Sequence, residues 1–265
     1  MPTPDGRTVG LALGGGVLRG FAHLGALSVL VRENIPIDYV AGTSAGSIMG
    51  AFYCIGFDAQ QGMEIAKKTR WYHLVGPAFP ARGLVSFWKL ERWLIKHLGD
   101  VNFSDLQRPF AAVAVDVNTY EKIVLREGRL APAVRASCSV PGAISPVRLN
   151  GRWLGDGSLV DSLPVSVLRE MGAHYTIAID IFQPAKRRYL GPLGYALAAL
   201  EILLQRAGGG ITQADCLIQP RLQGVSYLRF SLADSLFECG ARAMQEKIPQ
   251  IRRELGLPQP EEASA

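Results

Sequence analysis

The chain has 265 residues, of which 48% are apolar and 19% are charged, with a formal net charge of +5. This composition predicts one domain over residues 1–265 with a sizeable core, and the absence of a nucleic-acid-binding motif argues against a nucleic-acid partner. No apolar run reaches the roughly 18 residues that a membrane-spanning helix needs, and residues 1–7 lack the apolar core of a secretory signal. We therefore expect a cytoplasmic protein.

A strand, a glycine-rich loop and a helix form the first unit of the chain. Residues 8–13 predict a buried strand, residues 14–20 a loop and residues 21–33 a helix. The loop fits no dinucleotide fingerprint, which would need glycine where Arg19 stands, and it lacks the lysine of a phosphate loop. Two alternatives are left: an oxyanion hole built from exposed N–H groups, or a tight turn with no further role.

The next motif is Gly42-Thr43-Ser44-Ala45-Gly46, between a predicted strand over residues 37–40 and a predicted helix over residues 47–53. A G-x-S-x-G pattern in this context is typical of a nucleophile elbow, because small residues must flank the sharp turn that exposes the serine. The helix would also bring N–H groups and its positive dipole end to the reacting carbon. We therefore predict that Ser44 is a nucleophile.

Three of the four tryptophans lie within residues 71–93. A polar helix is predicted over residues 58–70, an irregular aromatic segment over residues 71–80 and another helix over residues 87–94. We interpret this stretch as a cap over the site that contacts lipid. Ordinary core packing of the aromatic side chains is the alternative.

The second half of the chain alternates strands and helices. Strands are predicted at residues 110–116, 122–125, 146–149, 152–154, 175–180 and 216–219. Helices are predicted at residues 130–137, 165–171, 191–207 and 233–255, before a disordered tail over residues 258–265. Asn150-Gly151 is a strong hairpin signal, and this hairpin delivers Asp156 into a loop. The pattern predicts an α/β fold with a mainly parallel central sheet covered by helices on both faces.

Ser44 needs a group that accepts its proton. The histidines lie within a helix, in the aromatic segment, near a helix end or directly before a strand: His23, His73, His97 and His174. Asp156, flanked by glycines after the hairpin, is the better candidate, because a carboxylate with a raised pKa accepts a proton where water is excluded.

No metal or disulfide site is predicted. The four cysteines are scattered without C-x-x-C spacing, and no set of carboxylates or histidines has the spacing of metal ligands. We therefore expect neither a metal nor a cofactor.

Four stretches together resemble the patatin-like phospholipases in order and spacing: Gly14-Gly15-Gly16-x-x-Arg19-Gly20, Gly42-x-Ser44-x-Gly46, Ala136-Ser137-x-x-x-Pro141, and Asp156-Gly157 with Pro164 downstream. They fall within residues 8–182. The chain is most similar to small bacterial, single-domain members of the neuropathy-target-esterase type.

The resemblance implies a three-layer α/β/α fold and hydrolysis of acyl esters in phospholipids or lysophospholipids, without a metal. It implies a dyad in which Ser44 is the nucleophile and Asp156 the base. It also implies an oxyanion hole built from the N–H groups of Gly15, Gly16 and Ala45.

Three further positions bear on this resemblance. Arg19 matches the family's arginine after the glycine loop, where it would steady that loop or contact a phosphate. Ser158 stands where glycine or alanine is usual, and it is small enough to be tolerated. Asp161 stands where asparagine is frequent, and we expect it to face solvent, with a shift in the pKa of the base as the alternative.

Three functions are compatible with these residues. The leading hypothesis is a serine acyl-ester hydrolase of lipids. The same acyl-enzyme would also serve a lipid acyltransferase, and a lipid-binding regulatory protein without catalysis is the third alternative. The expected partner is a lipid ester substrate, and the net charge with the aromatic segment predicts peripheral contact with the inner face of a membrane.

Overall fold

The computed structural model describes residues 3–78, 82–183, 191–222, 224–226 and 228–259. The strands in these ranges are β1 (Val9–Leu13), β2 (Tyr39–Thr43), β3 (Gly76–Pro77), β4 (Gly83–Ser86), β5 (Phe110–Asp116), β6 (Lys122–Leu125), β7 (Gly142–Ile144), β8 (Val147–Leu149), β9 (Arg152–Asp156), β10 (Tyr175–Ile179) and β11 (Cys216–Ile218). The helices are α1 (Phe21–Arg32), α2 (Ala45–Cys54), α3 (Ala59–Lys68), α4 (Trp71–Leu74), α5 (Trp88–Leu98), α6 (Leu130–Ser137), α7 (Val165–Glu170), α8 (Gly191–Arg206), α9 (Gly210–Gln213) and α10 (Ala233–Glu254).

The central sheet has the strand order β11-β10-β1-β2-β5-β9-β8, and β6 also pairs with β5. The five strands from β11 to β5 are parallel, whereas β6, β8 and β9 run antiparallel to their neighbours. The predicted α/β class with a mainly parallel sheet is therefore confirmed. Because parallel strands end at the same edge of a sheet, the loops after β1, β2 and β10 lie close together.

The two faces of the sheet carry cores of different size. Leu11 and Leu13 of β1 face the larger core, which is covered by α1, α2 and α10. Ala12 faces the opposite, smaller core around Val165 and Leu168 of α7. This alternation follows from the two-residue period of a strand, and the burial of both faces explains why β1 is apolar throughout.

Most predicted elements agree with the structure to within a few residues, and the Asn150-Gly151 turn joins β8 to β9. The small sheet β3-β4-β7 and the four-residue helices α4 and α9 were not predicted. The disordered tail was predicted over residues 258–265, and residues 260–265 lie outside the described ranges. Within those ranges, no helix is both long enough and apolar enough to cross a membrane.

Candidate active site

Ser44 stands alone between the last residue of β2 and the first residue of α2. Its backbone has φ 53° and ψ −121°, a conformation that costs free energy in any residue with a Cβ atom. A Cβ atom on Gly42 would lie 2.4 Å from the Gly46 carbonyl oxygen, and one on Gly46 would lie 2.0 Å from the Leu13 carbonyl oxygen. The predicted turn therefore has the tight geometry of a nucleophile elbow.

This geometry predicts an unusual order of stabilities among variants at position 44. Ser44→Gly and Ser44→Ala both lack the hydroxyl, but only the glycine variant loses the backbone strain. We expect Ser44→Gly to have the higher free energy of unfolding, by about 1 kcal/mol, after the entropic cost of glycine is subtracted. Chemical unfolding of the two variants measures the difference, and a less stable glycine variant would contradict strain at the elbow.

Ser137 of α6 holds the backbone of the elbow. The Ser44 N–H donates to Ser137 Oγ at 2.9 Å, and Ser137 is completely buried. The Ser44 carbonyl oxygen accepts from Ser47 Oγ at 2.7 Å and from Cys138 Sγ at 3.3 Å. The sequence indicated Ser137 only as part of a matching stretch, and the structure supplies the contact that gives it a role.

We expect Ser137→Ala to leave the Ser44 N–H buried without a partner. The free energy of unfolding should fall by about 1–3 kcal/mol, the usual cost of an unsatisfied buried donor, and the ester hydrolysis expected from the sequence should fall with it. The matched control is Ser139→Ala, because Ser139 Oγ donates only to the Arg135 carbonyl oxygen within the adjoining turn. Equal activity losses in the two variants would contradict a specific role for Ser137.

Asp156 ends β9 and is only 2% exposed. Its Oδ1 accepts from the Ser158 N–H at 2.8 Å. Burial raises the pKa of Asp156 above its ordinary value, while that N–H and the hydroxyls of Ser44 and Ser158 oppose the shift. The carboxyl is therefore poorly solvated and lies beside Ser44, as expected of a proton acceptor for this serine.

The register of the sheet explains why these two residues meet. Thr43 of β2 pairs with Val113 of β5, and the next residue, Ala114, pairs with Asp156 of β9. Ser44 and Asp156 thus lie on either side of one strand, at nearly the same height. The two residues are 112 positions apart in the sequence, and the pairings of β2 with β5 and of β5 with β9 bring them together.

The glycine loop approaches the elbow closely. A Cβ atom on Gly15 would lie 2.5 Å from Ser158 Oγ and 3.5 Å from Ser44 Cβ, so a side chain there would enter the site. The Gly15 N–H, however, donates to the Ser162 carbonyl oxygen at 3.1 Å. The structure corrects the expectation for Gly15, because an N–H already bonded to a carbonyl is not available to an oxyanion. Within the described residues, the N–H groups of Gly16 and Ala45 have no hydrogen-bond partner.

Arg19 lies completely buried behind the loop. Its guanidinium donates to the Gln183 carbonyl oxygen at 2.5 Å and to the Val225 carbonyl oxygen at 2.8 Å. These bonds join the glycine loop to the chain after β10 and to a segment near the C-terminus. Of the two roles expected for Arg19, the contacts favour the one that steadies the loop over contact with a phosphate.

His23 also supports the glycine loop. Its side chain is buried in α1, and Nε2 lies 2.8 Å from the Gly14 carbonyl oxygen. Burial lowers the pKa of His23 to about 4, so the ring is neutral near pH 7 and donates its Nε2–H to that oxygen. The sequence placed His23 in a buried helix but gave no sign of this contact.

The other histidines lie elsewhere. His174 precedes β10 and lies with Nδ1 2.7 Å from Thr8 Oγ1, at the edge of the sheet opposite Ser44. His73 and His97 belong to α4 and α5, where His97 packs on Trp93. None of these contacts brings a histidine to the elbow.

Asp161 does not face solvent, which corrects the sequence-based expectation. Its side chain is 2% exposed, and Oδ2 accepts from Lys122 Nζ at 3.1 Å and from Ser166 Oγ at 3.2 Å. The Asp161 N–H donates to the Gly157 carbonyl oxygen at 2.8 Å, so the loop after Asp156 folds back into the protein. Burial raises the pKa of Asp161, and the positive charge of Lys122 opposes this shift.

An almost entirely apolar cavity opens beside the elbow. It is bordered by Ala45 at the start of α2, by Val17 after the glycine loop, and by side chains of α1, α2, α3 and α5. Trp93 lines this cavity and packs on Phe52, with ring centres 5.7 Å apart. The aromatic stretch is thus partly core and partly the wall of a cavity, and its contact with lipid stays a prediction.

Among the residues that the structure describes, no group of three or more histidines, cysteines, aspartates or glutamates is placed to hold a metal ion. The polar groups that the structure brings to the elbow are the Ser44 hydroxyl, the Asp156 carboxyl and backbone N–H groups.

The fold and the site define a class: α/β proteins with a strained serine at the turn after a parallel strand and a buried aspartate beside it. The model of one family, described as Patatin-like phospholipase, matches residues 11–169. The chain belongs to this family.

The curated relatives are mostly longer proteins. The chain is 34% identical over 184 residues to Neuropathy target esterase sws of Drosophila melanogaster, covering 66% of this chain and 13% of that protein. It is 31% identical to Lysophospholipase NTE1 of Meyerozyma guilliermondii over 75% of this chain and 14% of that protein. It is 29% identical to an uncharacterized NTE family protein of Mycobacterium bovis, over 94% of this chain and 48% of that protein. The chain thus spans less than half the length of each.

Two solved structures share the fold at low sequence identity. VipD from Legionella pneumophila matches with a TM-score of 0.58 at 13% identity, over 94% of this chain and 69% of that one. The type III effector protein ExoU matches with a TM-score of 0.50 at 12% identity, over 94% and 54% of the respective chains. At these identities the likeness concerns the fold alone.

Proposed function

We propose that the protein is a serine acyl-ester hydrolase of lipids, of the phospholipase or lysophospholipase type. The observation that carries this proposal is the pairing of Ser44 in a strained elbow with the buried carboxyl of Asp156. The apolar cavity beside Ala45 supports an acyl chain as the group bound next to the reacting ester. The names of the relatives, a lysophospholipase and an esterase, support the same substrate class.

The proposed reaction has two steps. In the first, Asp156 takes the proton of Ser44 as its Oγ attacks the ester carbonyl carbon, and a tetrahedral oxyanion forms. The ester C–O bond then breaks, the leaving alcohol takes the proton from Asp156, and the acyl group stays on Ser44. In the second step Asp156 takes a proton from water, the hydroxide attacks the acyl-enzyme, and the proton returns to Ser44 as the fatty acid leaves.

The oxyanion in this proposal is held by the N–H groups of Gly16 and Ala45. Both flank the elbow, and neither has a partner among the described residues. The Ala45 N–H is also the first of α2, so the positive end of the helix dipole reinforces it. Gly15 has no side chain and so leaves space for the substrate, while Arg19 and His23 hold the glycine loop in place.

Mass spectrometry of the products tests the substrate class. The protein is incubated with phospholipids, lysophospholipids and neutral glycerides, and a fluorophosphonate probe reports in parallel on the serine. A hydrolase releases free fatty acid, an acyltransferase produces a new ester, and a protein that only binds lipid leaves both probe and substrates unchanged. The last two outcomes would overturn hydrolysis.

We also propose that the protein acts as a peripheral protein at the inner face of a membrane. Its substrate class is found at that surface, and the net charge of +5 favours an anionic leaflet.

A further inference from the structure

A basic groove lies between α3, α4 and α5, on the far side of the apolar cavity wall. Its volume is about 630 Å³. Four cationic side chains line it: Lys68, Lys89, Arg92 and Lys96. Tyr72, Trp88 and Trp93 supply aromatic surface, and Glu64 is the only acid among the described residues that line the groove.

None of the four cations of this basic groove forms a salt bridge with a carboxylate of a described residue. Lys68, Arg92 and Lys96 are exposed and form no salt bridge with any described residue. The neighbouring Lys67 of α3, by contrast, is paired, since its Nζ lies 2.7 Å from Asp234 Oδ1. Clustered like charges without counter-charges repel one another, and this repulsion destabilises the unbound protein. Binding of an anionic surface would reduce the repulsion.

Contacts with the aromatic residues fix part of this charge in place. Lys89 Nζ donates to the Tyr72 carbonyl oxygen at 3.1 Å and lies 5.7 Å from the ring centre of Trp88. The guanidinium of Arg92 lies 5.8 Å from the same ring. Tyr72 itself is 67% exposed. Basic side chains beside tyrosine and tryptophan match the polar–apolar boundary of a bilayer, where such aromatic residues are enriched.

The position of the basic groove relates it to the site. Ile65, Thr69 and Trp93 line both the groove and the apolar cavity that borders Ala45. One wall thus separates the charged surface from the proposed acyl site. A protein docked by the groove would therefore hold that cavity close to the layer in which ester bonds lie.

We propose that the basic groove docks the protein onto anionic phospholipid headgroups at a membrane surface. The reason for docking, access to a lipid substrate, rests on the proposed function. The charged and aromatic side chains that would bind the membrane do not depend on it. The cations are spread over two helices, α3 and α5, and three of the four are exposed around an open groove. This arrangement suits several headgroups in a plane better than one enclosed phosphate.

Vesicle flotation with the Ser44→Ala protein tests docking independently of hydrolysis. The groove variant carries Lys68→Gln, Arg92→Gln and Lys96→Gln in addition. The matched control carries Arg126→Gln, Arg242→Gln and Arg253→Gln, which remove the same charge from exposed residues without a described salt bridge. Each protein is mixed with phosphatidylcholine vesicles with and without phosphatidylglycerol, at low and high salt, and thermal unfolding verifies that each is folded.

We expect the Ser44→Ala protein to bind only the vesicles with phosphatidylglycerol, and less at high salt. A basic residue near an anionic leaflet contributes roughly a factor of five to partitioning, so the groove variant should lose on the order of 100-fold. The control should lose far less, because its arginines lie away from the groove.

Three results would overturn the docking proposal. Equal losses in the two triple variants would mean that only net charge matters. Equal binding to neutral vesicles would remove the role of anionic headgroups. Saturable calorimetric binding of soluble glycerol phosphate in place of vesicle binding would identify a small-molecule site. Absence of hydrolysis in the wild-type protein would overturn the proposed function while leaving these binding results valid.

Discussion

Ser44→Ala is expected to lower hydrolysis of p-nitrophenyl butyrate by a factor on the order of 10³ or more, and to abolish fluorophosphonate labelling. The reason is that the variant loses the hydroxyl oxygen of the proposed acyl-enzyme, whereas the backbone hydrogen bond to Ser137 is kept. A p-nitrophenyl ester has a good leaving group and is small enough not to require docking on a lipid surface. The assay therefore reports on the chemistry of the site.

The matched control for this prediction is Ser28→Ala. Ser28 Oγ donates only to the Gly25 carbonyl oxygen, within α1 and away from the site. The control should keep both hydrolysis and labelling. If Ser44→Ala kept the activity of the control while remaining folded, another residue would be the nucleophile, and the elbow would have only a structural role.

The regular elements and the elbow were predictable because their causes are local. The β1 run of apolar residues, the helical spacing of α1 and the Asn150-Gly151 turn each lie within a short stretch of sequence. The small sheet was not predictable in this way. Its strands have two to four residues, and β4 and β7 pair across more than fifty residues of chain, so no local pattern indicates them.

The site shows the same division between local and long-range causes. Ser44 and Asp156 were predicted as site residues from their flanking glycines, and the register of the sheet brings them together. The hydrogen bond of the Gly15 N–H could not, because its acceptor, the Ser162 carbonyl, belongs to a loop whose path only tertiary packing decides. Asp161 was wrongly expected in solvent for a related reason, since its cation, Lys122, comes from the antiparallel strand β6. Buried polar contacts between distant segments are what the sequence did not reveal.

Asp156→Asn is expected to reduce hydrolysis by a factor on the order of 10³ or more. The amide keeps the shape of the carboxyl and its acceptor oxygen for the Ser158 N–H, but it does not take the proton of Ser44. In the wild type, activity should rise with pH in a single step through the pKa of Asp156. Burial places this pKa above the ordinary value of 3.8, so the step should lie above that of an exposed aspartate.

Asp156→Asn should not lower the free energy of unfolding near pH 7, although it lowers activity. This difference separates a catalytic effect from misfolding. Because the folded-state pKa of Asp156 is raised, its protonated form favours folding below the unfolded-state pKa, and that stability is lost as pH rises through the folded-state pKa. Near pH 7 the buried carboxylate therefore costs free energy. Near pH 7, Asp156→Asn should therefore have a free energy of unfolding at least as high as that of the wild type. The difference between the two proteins should become smaller as the pH falls.

Histidine variants decide whether the pH step belongs to Asp156. His73→Ala, His97→Ala and His174→Ala should keep the profile, because no contact of these side chains reaches the elbow. His23 needs a different substitution, since its own pKa is about 4 and its Nε2–H supports the Gly14 carbonyl. His23→Gln retains an N–H donor and should keep the single step even if the rate falls. A folded histidine variant that lost about 10³-fold in rate together with the pH step would make that histidine the base and would refute the dyad.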